Sequence, residues 1–248
     1  MADKFTQLTD RLHEKMQMSQ TPVPGFLVGL SGTDSVLALL LIYDACARNG
    51  MAHRVQGIHY VNAGARKLTW FAREVMPWLN RRCPLAELKV ETPLGGNQDP
   101  QRWADLHLRA LNRIDTSAGG KTKVTALDLG HNYWVVGTLN NTEFELGTYS
   151  MLAASASIMP LRKVWKSTVM TLCEQQKVPA TALENARIPD CICGRDELAA
   201  ANIELIDEIL TNRLKVQDRD PKLVDTLIGY VHDLRQANGF KQRTPYLL

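Results

Sequence analysis

The segment Ser31-Gly-Thr-Asp-Ser35 holds the residue types most suited to chemistry. It follows Gly25-Phe-Leu-Val-Gly-Leu30, a short apolar run behind a turn signal, and leads into Val36–Arg48, a helix closed by Asn49-Gly50. A helix that starts directly behind a buried strand offers unpaired backbone N–H groups and the positive end of its dipole to an anion. Ser31 and Ser35 add hydroxyl donors, and Gly32 lets a phosphate come close to the backbone. Asp34 would repel a polyphosphate unless it holds a divalent cation that bridges to it. A second run, Tyr133 to Gly147, repeats the plan. A buried strand ends at Gly137-Thr138, a helix follows, and Glu143 sits on its first turn. Asp34 and Glu143 can therefore converge above a sheet as oxygen ligands of one Mg²⁺. Taken as residues alone, Ser31 or Asp34 serves equally well as a helix cap, and Glu143 as a charge that complements the macrodipole.

The elements that must position these groups alternate along the chain. The apolar spacing of Phe5, Leu8, Leu12 and Met16 predicts a helix over 3–18, stopped by Pro22 and Pro24. Strands are predicted at 25–30, 54–61, 87–91 and 133–136, and helices at 36–48, 66–80, 102–113 and 122–129, with a loop at Ser117–Gly120. A helix starts at 141–146, and helices dominate later, at 163–176, 196–213 and 221–236. Apolar strands alternating with helices imply a parallel sheet covered on both faces, with ligands at its carboxyl edge. The expectation is one α/β domain over 1–248, with about five parallel strands and a helical C-terminal part.

Composition excludes several classes. The 248 residues are 45% hydrophobic and 22% charged, with a net charge of +3. This is globular composition with no general signature for nucleic acid. The longest apolar stretch, Val36–Tyr43, is far too short to span a membrane, and 1–20 has no signal-peptide core. A cytoplasmic protein is expected. Five cysteines make no disulfide framework. Cys46 and Cys173 fall in apolar helical patterns and read as small buried hydrophobes, and Cys191 and Cys193 lack further soft ligands nearby.

The ordered series of motifs resembles ammonia-dependent NAD synthetases, members of the N-type ATP pyrophosphatases (the PP-loop superfamily), over nearly the whole chain. Leu27–Leu39 is similar to the S-G-G-x-D-S loop and its helix. Val135–Gly147 is similar to G-T-x-x-x-x-E-x-x-x-G, with Gly137, Thr138, Glu143 and Gly147 in register. Met159-Pro160 and Val164–Val169 place Lys166 on the family lysine. Asp196-Glu-Leu, Ile206–Leu210 and Phe240–Arg243 with Pro245 follow the family's acidic and C-terminal signatures. The resemblance implies an adenine nucleotide alpha hydrolase-like fold and a ligase that uses ATP and Mg²⁺. Such an enzyme adenylates a carboxylate, releases pyrophosphate and transfers the acyl group to ammonia. By that resemblance Ser31, Gly32, Thr33, Ser35, Thr138 and Lys166 contact ATP, Asp34 and Glu143 hold the metal, and Lys166 and Asp34 are catalytic. Lys121, Lys123, Asp190 and Lys241 fall on substrate-contacting segments. A homodimer is implied, its interface served by the apolar faces of 163–176 and 196–213 unless those faces complete the monomer core. With no glutaminase nucleophile set in the chain, nitrogen would come from free ammonia or a separate glutaminase subunit.

The departures bear directly on function. The loop is one residue shorter than S-G-G-x-D-S, and Thr148–Ala154 lacks the family's Lys and Asp. Ile188 stands for a hydroxyl, Lys121 and Lys123 stand for arginines, and Phe240 stands for histidine. Lysine keeps the charge but loses the bidentate fork. ATP and metal positions mostly survive while carboxylate-contacting stretches change. That pattern fits a divergent NAD synthetase, a paralogue amidating another carboxylate, or a decayed nucleotide-binding module, and the paired acids weigh against the last.

Overall fold

The computed structural model describes residues 3–18, 25–61, 69–93, 98–112, 133–189, 196–214 and 219–243. The described helices are α1 (Lys4–Met18), α2 (Thr33–Arg48), α3 (Met76–Arg82), α4 (Asp99–Asn112), α5 (Asn141–Leu146), α6 (Lys166–Gln175), α7 (Ala180–Ala186), α8 (Glu197–Ala201), α9 (Ile203–Leu210) and α10 (Pro221–Asn238). The strands are β1 (Phe26–Leu30), β2 (Val55–Tyr60), β3 (Glu87–Glu91) and β4 (Trp134–Val136).

All described strand pairs are parallel, in the order β3-β2-β1-β4. The chain runs outward from β1 through β2 to β3, then returns to pair β4 on the other side of β1. The order therefore reverses between β1 and β4, and a crevice opens there at the carboxyl ends. Because helices cover both faces, β1 reads as a continuous apolar run rather than an alternating one. Phe26, Leu27 and Val28 are fully buried. On one face α2 packs with α1, α3 and α6, and every residue from Val36 to Ile42 is inaccessible. On the other, Leu106 and Ala110 of α4 cover Leu27, Ile58 and Val135. A third apolar cluster joins α5, α9 and α10 through Leu146, Ile206 and Leu227.

The parallel sheet flanked by helices is as expected, and some details differ. The described sheet has four strands, and the fifth is reduced to one parallel bridge, Val136 to Ile158. Gly137 N–H donates to Ile158 O and Ser157 N–H to Val135 O, both at 2.8 Å. The pairing stops there because Pro160 has no N–H to donate and opens a turn. A methyl on Gly137 would come within 2.8 Å of Ala156 Cβ, so this close approach needs glycine. The helix predicted across 196–213 is two, α8 and α9, broken at Asn202, whose amide turns back onto Leu198 O at 2.9 Å. The apolar faces of α6 and α9, candidates for a dimer interface, are spent inside this chain on Val169, Leu172, Leu205 and Ile206. A π-helical turn, Phe71–Val75, precedes α3. Pro22, Pro24, Ser117–Gly120 and the predicted helix 122–129 lie outside the described residues. Among the described residues, no helix is long and apolar enough to cross a membrane.

Candidate active site

A cavity of about 270 Å³ opens at the carboxyl ends of β1 and β4. The loop Ser31–Ser35 forms its floor, with Thr138, Glu143 and Lys166 beside it. Trp70, Ile188 and Pro189 form an apolar side. The cavity therefore collects the loop residues, both predicted metal carboxylates and the predicted lysine.

One buried residue organises the two acids. Asn140, fully inaccessible, caps α5: its Oδ1 accepts from Glu143 N–H at 2.9 Å, and Glu143 Oε2 accepts from Asn140 N–H at 3.3 Å. Its Nδ2 donates to Asp34 Oδ1 at 2.9 Å. Asn140-x-x-Glu143 is a capping box, so its local role was readable from the spacing, but its grip on Asp34 was not.

Lys166 opens α6 and is 5% exposed, although a lysine on a helical face is ordinarily solvated. Its ammonium donates to Thr33 Oγ1 at 3.0 Å and forms an ion pair with Asp34 Oδ2. A cation on the first turn opposes the helix dipole. The buried carboxylate of Asp207 offsets this by accepting from Ser167 N–H at 2.7 Å and from the Thr142 hydroxyl. Burial pushes the Asp207 carboxyl above its ordinary pKa, and these hydrogen bonds pull it back.

Ser35 is placed differently from the expectation that its hydroxyl faces a ligand. Its Oγ accepts from Ser31 N–H at 2.8 Å and Gly32 N–H at 3.1 Å, and donates to Gly32 O at 2.8 Å. It shapes the short loop from within, and two backbone donors point inward onto it. Gly32 has extended backbone, φ −170°, and a methyl there would meet nothing within 4 Å. Neither conformation nor packing demands glycine at 32, but a Cβ would take up space over the loop.

The donor set fits Mg²⁺ of a particular kind. Mg²⁺ takes one or two carboxylates and completes its shell with phosphate oxygens and water. Asp34 and Glu143 supply that pair in one cavity. Among the described residues no group of three or more His, Cys, Asp or Glu could hold a metal unaided. A cation held by this pair would complete its shell with ligand oxygens and water.

A second cavity, about 330 Å³, shares Ser31, Thr138 and Glu143 with the first. Trp103, Tyr149 and Arg102 line it, with Thr148, Ser150 and Ala153 on the segment that differs from the family. His59 closes one side, 6% exposed, with Nδ1 2.8 Å from Leu30 O and Nε2 2.7 Å from Thr69 Oγ1. The carbonyl must accept, so Nδ1 carries the proton and Nε2 accepts from Thr69. Lys241 is not brought into either cavity. Its ammonium donates to Gly147 O at 2.8 Å and Tyr149 O at 3.0 Å, tying the C-terminal turn to the end of α5. Lys121, Lys123, Asp190, Cys191 and Cys193 lie outside the described residues. Cys46 and Cys173 are buried as expected, with burial pushing each thiol up to about 12.

The fold and its contents define a parallel α/β protein whose candidate site lies at the topological switch point. Comparison with known proteins narrows the class. The NAD synthase family model matches residues 124–245. NH₃-dependent NAD⁺ synthetases of Thermotoga maritima and Thermotoga neapolitana are each 34% identical over 99 residues, 38% of this chain. That match spans only about a third of their own lengths, 35% and 34%. The structure of NH₃-dependent NAD synthetase from Campylobacter jejuni is similar over 98% of this chain and 97% of its own, with TM-score 0.59 and 20% identity. That of NMN synthetase from Francisella tularensis is similar over 98% and 96%, with TM-score 0.63 and 19% identity. The two structures share the fold. The chain is thus similar to NAD synthetases, in sequence over part of its length and in fold over nearly all of it.

Proposed function

We propose that this protein is a C–N ligase that amidates a carboxylate at the expense of ATP. The observation that carries the reading is the meeting of Asp34, Glu143, Lys166 and the Ser31–Ser35 loop in one cavity. A carboxylate oxygen attacks the α-phosphorus of ATP, the bond from that phosphorus to the α–β bridging oxygen breaks, and pyrophosphate leaves. Ammonia then attacks the acyl carbon, loses a proton, and AMP departs with the bonding pair. Asp34 and Glu143 would hold a Mg²⁺ ion, which when bound would neutralise charge on the phosphates. The backbone of the loop and Thr138 orient the polyphosphate. Lys166 stabilises the charge that develops as pyrophosphate leaves. Trp70, Ile188 and Pro189 supply an apolar surface of the kind a nucleobase stacks on.

The nearest named activity is the conversion of nicotinic acid adenine dinucleotide to NAD. A different carboxylate is favoured by one observation. The Thr148–Ala153 wall of the second cavity contributes only neutral residues where the family has Lys and Asp. A fold shared with an NMN synthetase makes the mononucleotide a natural member of the test panel. The experiment is incubation with ATP, Mg²⁺ and ammonium plus the dinucleotide, the mononucleotide or simpler pyridine carboxylates. AMP and amide formed in equal amounts with one of them support the reading. ADP as the nucleotide product, or no carboxylate-dependent product, counts against it.

A further inference from the structure

Asp207 lines neither of the two larger cavities, yet its carboxylate is buried, at 4% exposure. A buried carboxylate is costly unless its oxygens are hydrogen-bonded, and here each oxygen has a donor. The Thr142 hydroxyl donates to Oδ1, and Ser167 N–H donates to Oδ2 at 2.7 Å. Having given its proton to Asp207, the Thr142 oxygen accepts from Lys166 N–H at 2.9 Å. The first two backbone donors of α6 are thus satisfied by a side chain of α5 and a side chain of α9. Apolar contacts among Leu146, Leu205 and Ile206 would hold α5 to α9 without such a network. What the network adds is direction. It fixes the first turn of α6, which carries Lys166, to the first turn of α5, which carries Glu143 and directly follows Asn140.

We infer that Asp207, acting through Thr142, is a positioning residue that sets the backbone of Lys166 so that its ammonium, Asp34 and Glu143 share one geometry. The inference rests on the reading of Lys166 as the cation that meets the phosphates. Replacing Thr142 with valine keeps volume and removes the relay, and replacing it with serine keeps the relay and removes a methyl.

The test compares Thr142→Val, Thr142→Ser, Asp207→Asn and, as a control in the same apolar cluster, Leu227→Ala. Turnover is followed by pyrophosphate release, and the acetylation rate of Lys166 by mass spectrometry. Thr142→Val and Asp207→Asn should lower kcat by about 10²-fold, the scale of a small misplacement, with KM for ATP within about threefold of the parent. Thr142→Ser should restore kcat to within about twofold. Leu227→Ala should lower the melting temperature while leaving kcat unchanged below it. Lys166 acetylation, slow in the parent, should rise in Thr142→Val and Asp207→Asn but not in Leu227→Ala. A kcat loss in Leu227→Ala equal to that in Thr142→Val, or unchanged Lys166 acetylation in Thr142→Val, would overturn the inference. If the parent turns over no carboxylate, the functional reading fails, and the acetylation rates alone decide the positioning role.

Discussion

Replacing Lys166 by methionine removes the ammonium that now occupies Asp34 and keeps most of the aliphatic stem. Losing one partner of a fully buried ion pair costs about 3–5 kcal/mol. Here the Asp34 side chain is 17% exposed to the cavity and keeps its bond from Asn140. A loss of about 1–3 kcal/mol is therefore expected. At about 2–4 °C per kcal/mol for a chain of this size, the melting temperature should fall by about 2–12 °C. The same change opens Oδ2 of Asp34 to a metal. On the proposed reading Mg²⁺ must displace Lys166 in the parent, whereas in the variant it would meet an uncompensated carboxylate. Mg²⁺ at about ten times its Kd returns about 1.4 kcal/mol to a folded state that binds it. Calorimetric scans should therefore show Mg²⁺ raising the variant's melting temperature by about 3–6 °C and the parent's by less. An equal response to Mg²⁺ in both proteins would refute the reasoning, because Asp34 and Lys166 would then not be exclusive partners. Turnover in the variant should fall by about 10²–10³, the usual scale for a preorganised charge.

Gly32→Ala should change stability by less than about 1 kcal/mol, since the residue is extended and open. It should nevertheless weaken ATP by more than tenfold (about 1.4 kcal/mol) in calorimetric titration; unchanged affinity would mean that phosphate never approaches the loop. His59 is buried and neutral, its pKa lowered first by desolvation. The unfolded chain takes up a proton that the folded chain resists, so stability linked to His59 is full above about pH 6.5 and declines as pH falls below it. Thermal melts of the parent should show this decline and His59→Gln should lose it, whereas parallel profiles would assign the acid sensitivity elsewhere. Nicotinic acid adenine dinucleotide should be converted poorly while ATP binding is retained, because polar groups of its nicotinate end would lose partners at about 1–3 kcal/mol each. Efficient NAD formation, read by chromatography, would show that the altered wall never touches that substrate.

Most of the scaffold was legible because its signals are local. The apolar run behind a turn signal placed the strand at 25–30 where β1 occurs, and the strand expected at 87–91 is β3. The breaks were harder. Apolar spacing continues through Asn202, and only the competition of its side chain for Leu198 O ends α8. At the site, residue types and resemblance brought Asp34, Glu143 and Lys166 into one list, but their partners could not be read locally. Lys166 meets Asp34 across 132 positions, and Asp207 meets Thr142 across 65. Ser35 reads two ways from the sequence, because its hydroxyl suits a phosphate and an inward-folded loop equally well and spacing does not separate the two.

The most direct measurement of the central claim is isotope exchange between labelled pyrophosphate and ATP in the absence of any nitrogen donor. In the proposed mechanism adenylation is reversible and precedes amide formation, so exchange isolates the step proposed for Asp34, Glu143 and Lys166. The account predicts exchange that requires both Mg²⁺ and a carboxylate substrate, and that falls by about 10²–10³ in Lys166→Met. Carboxylate-dependent release of ADP and inorganic phosphate without pyrophosphate exchange would contradict it.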